Sequence, residues 1–466
     1  MLQNLEHQQQ TIDRFKDQPY GALFLEPGLG KTRIMIKIAE HKFERGQIGA
    51  ALVVTTKSLM LNWLKEELPR HSSVSWFGET FKNDYPKSMR KGTLHYYIVN
   101  IDALRTEGFV KNFKYFMKYY DTGFGLFVDE STVAKNMKAK RTKQLLKVSY
   151  FAACRFIASG FPVTTTPEDL YSQTEILEPG LMGYKNFWAF RYDYLVIKQL
   201  KMGNRSFEKV VGYKNLDRLH ENISRFSAII KAKDCLDLPP RIERRIPIEF
   251  TPIQEKYYKE LKAQALTMIE ETEITAANAI TLLNRLLQIC AGQIKTGEGQ
   301  YIEIPNNRVE TCCELIEPVS KAIIWCPFIG TASSLSNAIG NAATWLKSDF
   351  SIGHRQSVID EWRIPSGPKY LIANQASAGH GLTLVESSFV VYYSNIWSIE
   401  HRVQSEYRTD RIGQRNSVLY TDFYIPGTCE EYVLDLLTQR RDVANQIMHG
   451  GMTDPRSVLV EALSGR

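Results

Sequence analysis

Five consecutive residues near the N-terminus, Gly28-Leu29-Gly30-Lys31-Thr32, have the types and spacing that bind phosphate. The glycines let the backbone curl so that its N–H groups point at phosphate oxygens. The start of the helix that follows adds positive potential. In this arrangement Lys31 would reach the β- and γ-phosphates of a nucleotide, and the Thr32 hydroxyl would bind magnesium. The segment therefore predicts a site for ATP and Mg²⁺.

The loop is flanked by sequence typical of a strand on one side and of a helix on the other. Residues 22–25 are apolar and predict a strand. After the loop, apolar residues recur at helical spacing at Ile34, Met35, Ile38, Ala39 and Phe43. The full phosphate-loop pattern has a glycine where this chain has Leu25. The alternative is therefore an ordinary glycine turn between a strand and a helix.

A second candidate group is the carboxylate pair Asp129 and Glu130, which directly follows the apolar run 126–128. In open α/β sheets, ligands bind beyond the carboxyl ends of the strands. Asp129 would hold magnesium, mainly through water, and Glu130 would orient and deprotonate the attacking water. The alternative is a pair of surface acids that cap a helix. Because the pair follows a phosphate loop by about 100 residues, it fits the second half of an ATPase site.

The elements that must position these residues alternate between short apolar runs and helical patterns, which predicts an α/β fold with mostly parallel sheets flanked by helices. The strands predicted in the first half are residues 22–25, 51–54, 97–100, 126–128 and 155–158. Those predicted in the second half are residues 322–325, 370–373, 389–393 and 418–425. Leu238-Pro239-Pro240-Arg241 reads as a hinge between the two series, because consecutive prolines stiffen the chain and stop helices. We therefore expect two lobes, at residues 1–233 and 234–466.

The end of the first lobe, at about residues 170–233, differs from the rest by being aromatic and basic. We expect a largely helical insertion there. Its aromatic residues crowd one short stretch, at Tyr184, Phe187, Trp188, Phe190, Tyr192 and Tyr194. They could form a stacking surface for bases, but the core of a helical insertion is the favoured interpretation.

The composition is that of a soluble globular protein, with 44% hydrophobic and 23% charged residues. The formal net charge of +7 permits a polyanionic partner without requiring one. The seven cysteines form no Cys-x-x-Cys pair, which argues against zinc and against a disulfide framework. The sequence has no signal peptide and no apolar run of membrane-spanning length, so we expect a cytoplasmic protein of a bacterium or of an infected host.

The second half of the chain resembles the Swi/Snf-type superfamily 2 helicases, which are double-stranded DNA translocases. The most specific stretch is residues 404–414, QSEYRTDRIGQ, with a glutamine, two arginines and Arg-Ile-Gly-Gln at the family's spacing. Similar motifs run in the family's order at residues 5–8, 53–63, 129–136, 238–257, 321–325, 377–382, 397 and 427–431. The chain is similar to a minimal phage or bacterial form of the family, without the large insertions of chromatin remodellers.

The resemblance implies two RecA-like lobes that clamp ATP between them. On this basis ATP is bound and the attacking water is activated by first-lobe residues, namely Lys31, Thr32, Asp129 and Glu130. Arg408 and Arg411 of the second lobe complete the catalytic set. The implied nucleotide-binding residues are Gln8, which reads adenine, with Gly28, Leu29, Gly30, Lys31, Thr32 and Gln404. Magnesium is assigned to Thr32 and Asp129. The implied nucleic-acid contacts are Thr56, Lys57, Asn100, Arg355 and Gly379, and each could instead have a turn or capping role.

Three departures from the family's pattern concern the coupling between the ATP site and the DNA. Where the family has Asp-Glu-x-His, this chain has Asp129-Glu130-Ser131-Thr132, so the histidine is missing. Its Thr-Gly-Thr-Pro is Ser159-Gly160-Phe161-Pro162, and Thr383 replaces an asparagine. The coupling between the ATP site and the DNA is therefore the part of the family's pattern that this chain matches least well.

The resulting functional hypothesis is a DNA-dependent ATPase that moves on duplex or branched DNA, largely without sequence preference, and remodels junctions or displaces bound proteins. Branch migration, recombination and replication are the processes it would serve, with protein partners there or in transcription. One alternative is a strand-separating DNA or RNA helicase. Another is a non-hydrolysing DNA-binding scaffold, against which the intact Lys31, Asp129, Glu130 and Arg411 argue.

Overall fold

The computed structural model describes residues 3–81, 92–120, 123–164, 166–202, 205–271, 276–295, 300–347, 349–375 and 382–447. The described residues form two compact units, which we call lobe 1 (residues 3–236 with 443–447) and lobe 2 (residues 237–442). Each contains one parallel sheet flanked by helices, as the sequence predicts.

The lobe 1 sheet has seven parallel strands among the described residues. They are β1 (Tyr20–Leu25), β2 (Ala50–Thr55), β3 (Trp76–Thr80), β4 (Leu94–Asn100), β5 (Phe124–Asp129), β6 (Cys154–Ala158) and, after a hairpin of β7 (Leu195–Met202) and β8 (Arg205–Tyr213), β9 (Ser227–Ile230). Their spatial order is β3-β4-β2-β5-β6-β1-β9. All five strands predicted from apolar runs are present, whereas β3 and β9, at the two edges, were missed.

Helices connect and cover these strands. The α-helices are α1 (Glu6–Phe15), α2 (Lys31–Glu44), α3 (Met60–Asn62), α4 (Leu68–His71), α5 (Glu107–Tyr119), α6 (Lys140–Ser149), α7 (Glu168–Leu177), α8 (Phe187–Tyr194), α9 (Leu216–Ser224) and α10 (Ala232–Cys235). A π-helical stretch (Trp63–Glu67) joins α3 to α4, and 3₁₀ turns lie at Ile101–Arg105 and Ser131–Ala134. The hydrophobic core between sheet and helices includes Leu52, Val54, Leu126 and Phe116, which are completely buried.

The segment at 170–233 corrects the expectation of a largely helical insertion. It contains helices, but β7 and β8 form an antiparallel hairpin within it. Its last strand, β9, pairs with β1 and so belongs to the central sheet. The run Leu195-Val196-Ile197 at the start of β7 contains two β-branched residues, a strand signal that the dense aromatic run before it obscured.

The lobe 2 sheet has six parallel strands in the order β10-β17-β16-β13-β15-β14. In chain order the strands are β10 (Arg241–Pro247), a hairpin of β11 (Gln293–Lys295) and β12 (Tyr301–Glu303), β13 (Ala322–Trp325), β14 (Ala343–Leu346), β15 (Tyr370–Ala373), β16 (Phe389–Tyr392) and β17 (Val418–Tyr424). The helices are α11 (Pro252–Glu271), α12 (Ala276–Cys290), α13 (Arg308–Ile316), α14 (Ile329–Ile339), α15 (Ile352–Arg363), α16 (Ile399–Glu406) and α17 (Cys429–Ile447), with a 3₁₀ turn at Gly340–Ala342. The four predicted strands are confirmed, and the edge strands β10 and β14 were not predicted.

Two further observations concern the whole chain. Among the described residues, no helix is both long and apolar enough to cross a membrane. The seven cysteines are free thiols, and Cys235 and Cys313 are only half-buried.

Candidate functional site

The predicted phosphate loop lies between the end of β1 at Leu25 and the start of α2 at Lys31. Gly28 and Gly30 have φ angles of 87° and 80°, in the left-handed region that favours glycine. Lys31 is buried, and its Nζ donates to the carbonyl oxygen of Leu25 at 2.9 Å. The turn geometry and the helix start directly after it fit a phosphate group.

Gln8 and His7, both buried on α1, contact the back of this loop. Gln8 Nε2 donates to the carbonyl oxygen of Leu29 at 3.2 Å, and His7 Nε2 lies 3.0 Å from the same oxygen. Gln8 Oε1 accepts from the N–H of Leu5 at 3.1 Å. A Cβ on Gly30 would lie 2.4 Å from Gln8 Nε2. In this structure Gln8 therefore supports the loop, and its contact with adenine stays a prediction.

A polar cavity of about 280 Å³ lies beside α1 and α2. Its lining residues are Gln3, Asn4, Gln9, Arg33, Lys37, Arg70 and His71. Arg33 follows Thr32 in the chain, and its Nε donates to Asn4 Oδ1 at 2.7 Å. Burial and the neighbouring charge of Arg70 lower the pKa of Arg33. The cavity is a basic space next to the phosphate loop.

The acidic pair lies at the carboxyl end of β5, as predicted. Asp129 is buried, and Trp63 Nε1 donates to its Oδ2 at 2.8 Å. Burial and the adjacent charge of Glu130 raise the pKa of Asp129 to about 6, against the opposing effects of the Trp63 hydrogen bond and the Lys31 charge. Glu130 itself has a φ of 62°, a strained conformation for a non-glycine residue that is most often found at functional sites. A bound cation would relieve the mutual repulsion of these carboxylates, so the pair fits a magnesium site.

Gly160 brings the loop after β6 against the phosphate loop. β6 lies between β5 and β1 in the sheet, so its carboxyl end separates the two candidate groups. A Cβ on Gly160 would lie 2.8 Å from the Pro27 ring and 3.4 Å from Lys31 Nζ. The tertiary structure therefore gives Gly160 a specific role, namely to allow this close approach.

Two buried polar bridges join the acidic segment to the residues after Gly160. The Ser131 hydroxyl donates to Gln173 Oε1 at 2.6 Å, and Gln173 Nε2 donates to the carbonyl oxygen of Pro162 at 2.7 Å. The Lys135 ammonium donates to the Thr164 hydroxyl, which in turn donates to an oxygen of Asp169 at 3.0 Å. These contacts occupy the region where the chain departs from the family's histidine and threonines.

On lobe 2, the two predicted arginines follow α16. Arg408 and Arg411 both donate to the carbonyl oxygen of Leu382, at 3.4 and 3.2 Å. Gln404 lies in the last turn and a half of α16 and is half-buried. The Gln414 side chain makes a structural contact within lobe 2, since it donates to the carbonyl oxygen of Ser387 at 3.0 Å.

Arg241 holds the turn that carries these arginines. It forms ion pairs with Glu406 at 2.9 Å and with Asp410 at 3.1 Å, on either side of Arg408 in the sequence. Its guanidinium also lies 4.7 Å from the centre of the Tyr420 ring. Because Arg241 directly follows Pro240, the end of the predicted hinge is tied to the arginine turn.

The predicted nucleic-acid residues of lobe 1 lie at the carboxyl ends of two neighbouring strands, β2 and β4, next to β5. Thr56 and Lys57 follow β2, and the Thr56 hydroxyl is 3.1 Å from that of Ser58. Asn100 ends β4, and its Oδ1 accepts from the N–H of Asp102 at 3.0 Å, so it caps the following 3₁₀ turn. Their contact with DNA stays a prediction.

Of the two nucleic-acid residues predicted in lobe 2, only Arg355 is described. It lies in the first turn of α15, and its Nη2 is 3.5 Å from the carbonyl oxygen of Lys347. Gly379 lies outside the described residues.

Sequence reasoning missed several residues that organise this site: Trp63, Gly160, Thr164, Asp169, Gln173 and Arg241. Trp63 was noted only as part of a motif, with no role assigned. Gln173 and Arg241 act over long sequence separations, so no local pattern identifies them. A glycine two residues after the predicted strand 155–158, as at Gly160, was the one signal available.

The parallel sheet, the glycine turn after its first strand and the acid pair after β5 form the arrangement that is expected of a nucleotide hydrolase. The chain matches the SNF2-related domain over residues 6–293 and the helicase conserved C-terminal domain over residues 307–413. It therefore belongs to the SNF2 family of helicase-like ATPases, as the motifs predict.

Three similar proteins illustrate the family. The mouse DNA annealing helicase and endonuclease ZRANB3 is 26% identical over 91% of this chain and 39% of its own length. An uncharacterized ATP-dependent helicase of Mycoplasma genitalium is 22% identical over 94% of this chain and 41% of its own. The chain thus spans about two fifths of the length of these relatives. The SWI2/SNF2 ATPase core of Sulfolobus solfataricus, solved in complex with double-stranded DNA, is 20% identical over 100% of this chain and 97% of that one, with a TM-score of 0.43.

Proposed function

We propose that this protein hydrolyses ATP to move along duplex or branched DNA, and that it thereby remodels junctions or displaces bound proteins. The observation that carries the proposal lies at the carboxyl ends of the lobe 1 strands. There Gly160 packs against Pro27 and Lys31, and the Lys31 charge lowers the pKa of the buried Asp129. This edge has the parts that an ATPase needs. Membership of the SNF2 family supports DNA as the track.

The residues would divide the chemistry as follows. The backbone N–H groups of the phosphate loop and Lys31 would hold the phosphates, and Thr32 with Asp129 would hold the divalent cation, magnesium in our proposal. When bound, the cation supplies charge neutralisation at the phosphates. Glu130, in its strained conformation, would orient and deprotonate water. The adenine base of ATP would lie by Gln8 and by the basic cavity that Arg33 lines.

Arg408 and Arg411 would supply the positive charge that the reacting phosphate requires in the nucleotide-bound state. A permanent charge and a forked donor geometry suit arginine to this task. An arginine of this kind contributes about 10³–10⁵ in rate. We expect Arg411→Ala to keep ATP affinity but to lose nearly all turnover. Full turnover in this variant would refute the assignment.

Phosphate release in the presence of single-stranded, duplex, forked and four-way DNA, with RNA as the control, tests the proposal directly. We expect the duplex and branched substrates to stimulate most. Equal stimulation by RNA, or none by any nucleic acid, would contradict it. The scaffold alternative is not retained, because the chain belongs to an ATPase family.

Translocation and strand separation are distinguished by a second pair of assays. Displacement of a third strand from a triplex requires movement along the duplex, and unwinding of a forked duplex requires separation of its strands. We expect displacement without unwinding. The reverse result would favour the strand-separating alternative. Branch migration, recombination or replication as the process served, together with cytoplasmic location and protein partners, remain predictions from the sequence.

A further inference from the structure

Lobe 1 carries a long basic segment, and the lysines on its helix α6 have no part in the ATP site described above. Residues 131–167 contain seven lysines and arginines and no aspartate or glutamate. On α6, Lys140, Lys143 and Lys147 recur at a spacing that puts them on one face of the helix, and all three are exposed. No ion pair joins these lysines to an acidic residue in the part of the chain that the structure describes. The opposite face of α6 is buried through Thr142, Leu145 and Val148, so the lysine face points to solvent.

The helix α8, which packs against α7, divides its aromatic residues between two faces. Phe190 and Tyr194 are fully buried in the lobe 1 core. Trp188 and Tyr192, one helical turn apart, are 48% and 50% exposed, and their rings stack with centres 6.4 Å apart. The core interpretation of this aromatic run therefore holds for its inner face only, and an exposed aromatic pair remains on the outer face.

Lys138 connects the two features. It is exposed, lies two residues before α6, and its Nζ is 5.7 Å from the centre of the Trp188 ring. Arg191 also lies over this ring, at 5.5 Å, but its charge is compensated by Glu168 and Glu208. The surface therefore consists of a stacked aromatic pair with the Lys138 cation over the Trp188 ring. Lys138 leads along the chain into α6, where the three lysines, which have no ion pair among the described residues, extend over about 10 Å of helix.

The topology gives this surface a direction. α6 follows the acidic pair at the carboxyl end of β5 and leads to the amino end of β6. The first turn of α6 therefore lies towards the carboxyl ends of the strands, where Asp129 is found, and its last turn lies towards their amino ends. Lys138 and the aromatic pair lie near the beginning of this path, and Lys147 near its end.

We propose that Lys138, the α6 lysine stripe and the Trp188–Tyr192 pair bind a single strand of DNA. Lysines at this spacing contact phosphates without reading sequence. An exposed aromatic pair offers a stacking partner only to bases that are not already stacked in a duplex. The site thus takes an unpaired strand beside a junction or at a duplex end. The choice of DNA rests on the proposed function, which the surface would extend from duplex to branched substrates.

The test uses the full chain without ATP and compares a blunt duplex with the same duplex carrying a single-stranded overhang, by fluorescence anisotropy. We expect Trp188→Ala with Tyr192→Ala to weaken overhang binding about tenfold, the scale of one stacked base. Replacing Lys140, Lys143 and Lys147 by Gln should lower the salt dependence of overhang binding, with the log–log slope falling by about 2 for three lost phosphate contacts. Blunt-duplex affinity and duplex-stimulated hydrolysis should change less than about twofold, well below the scale of one stacked base.

The chain offers a matched control on α5, where Lys111, Lys114 and Lys118 have the same spacing and are also exposed. Their replacement by Gln removes the same charge from the same lobe and should leave overhang binding unchanged. Trp188→Phe with Tyr192→Phe should retain most of the affinity. Equal losses in the α5 and α6 variants, undiminished overhang binding in the aromatic variant, or tighter binding of an RNA overhang would each overturn the proposal. Because the assay contains no ATP, its failure is distinct from failure of duplex-stimulated hydrolysis.

Discussion

The ionised form of Asp129 is energetically unfavourable in the nucleotide-free site. The side chain is buried at the carboxyl end of β5, beside the charge of Glu130, and the Trp63 hydrogen bond and the Lys31 charge offset part of the cost of its ionisation. A site of this kind is less stable when empty than a neutral one of the same shape, because its charges are arranged for a ligand. The cost can be measured.

We expect Asp129→Asn to stabilise the nucleotide-free protein at neutral and alkaline pH. Since the folded-state pKa of about 6 lies above the ordinary 3.8, the fold binds the proton more tightly than the unfolded chain. The stability that protonation provides is present below pH 3.8 and is lost as the pH rises through about 6. The full effect is about 3 kcal/mol at most. Asparagine can still accept the Trp63 hydrogen bond without the charge.

Thermal unfolding of the wild type and of Asp129→Asn at pH 8 and pH 5 measures this effect. The advantage of the variant should shrink by about half at pH 5, where much of the wild-type carboxyl is protonated. The variant should also lose ATP hydrolysis. A variant that is less stable than the wild type at both pH values would contradict the prediction.

Gly160 tests the packing of the site rather than its charge. Gly160→Ala would place a methyl group 2.8 Å from Pro27 and 3.4 Å from Lys31 Nζ, so the phosphate loop must shift. We expect kcat/KM for ATP to fall about tenfold or more, because catalysis is sensitive to displacements of this size. Gly353→Ala is the matched control, since nothing lies within 4 Å of its added methyl group. Equal steady-state kinetics in the two variants would rule out the close approach.

At the scale of the elements, the end of the hinge and the arginine turn are linked through β10. Arg241, the first residue of β10, pairs with Glu406 and Asp410, and Glu406 also pairs with the buried Arg402 at 2.6 Å. The turn that carries Arg408 is thus fixed by an ion-pair network rather than by apolar packing alone.

We therefore expect Arg241→Ala to lower kcat for ATP hydrolysis about tenfold, a fraction of an arginine's full contribution, with little change in ATP affinity. Arg241→Lys should recover part of the rate, because it restores the charge without the fork. Arg245→Ala is the matched control on the same strand, where the ion pair with Asp435 at 2.7 Å is exposed. Steady-state kinetics and ATP titration give the two constants separately. Equal kcat values in the two alanine variants would show that the pairing does not position the arginines.

At the scale of the whole molecule, each lobe has a hydrophobic core of its own. The lobe 1 core includes Leu126 and Phe190, and the lobe 2 core includes Ile323 and Trp362, all fully buried. Separate cores make a single all-or-none unfolding transition unexpected. The predicted phosphate loop belongs to only one of the two lobes.

We expect calorimetry to resolve more than one thermal transition. ATP with Mg²⁺ at about 100 times its dissociation constant should stabilise the lobe that binds it by about 2.7 kcal/mol. Lys31→Ala should cancel this shift and leave the other transition in place. One transition with equal calorimetric and van't Hoff enthalpies would contradict the prediction of independent cores.

The sequence by itself determined the class of fold and the chemistry of the main site. Apolar runs such as 322–325 and 370–373 match observed strands residue for residue, because buried parallel strands are apolar throughout. The edge strands β3, β9, β10 and β14 were not predicted because none of them is an apolar run buried throughout; β10, for example, is exposed at six of its seven residues. Gly28 to Thr32 and the Asp129–Glu130 pair were found because phosphate and metal binding require particular residues at close, local spacing.

Only the tertiary structure decided which distant residues support that chemistry. Trp63 reaches Asp129, Gln173 joins Ser131 to Pro162, and Arg241 holds Glu406 and Asp410. It also divided the aromatic run at 184–194 between a buried face and an exposed pair. These contacts join residues far apart in the chain, and their geometry depends on strand order and helix packing. A sequence records residue types along the chain, and the order of the strands in space sets which of them meet.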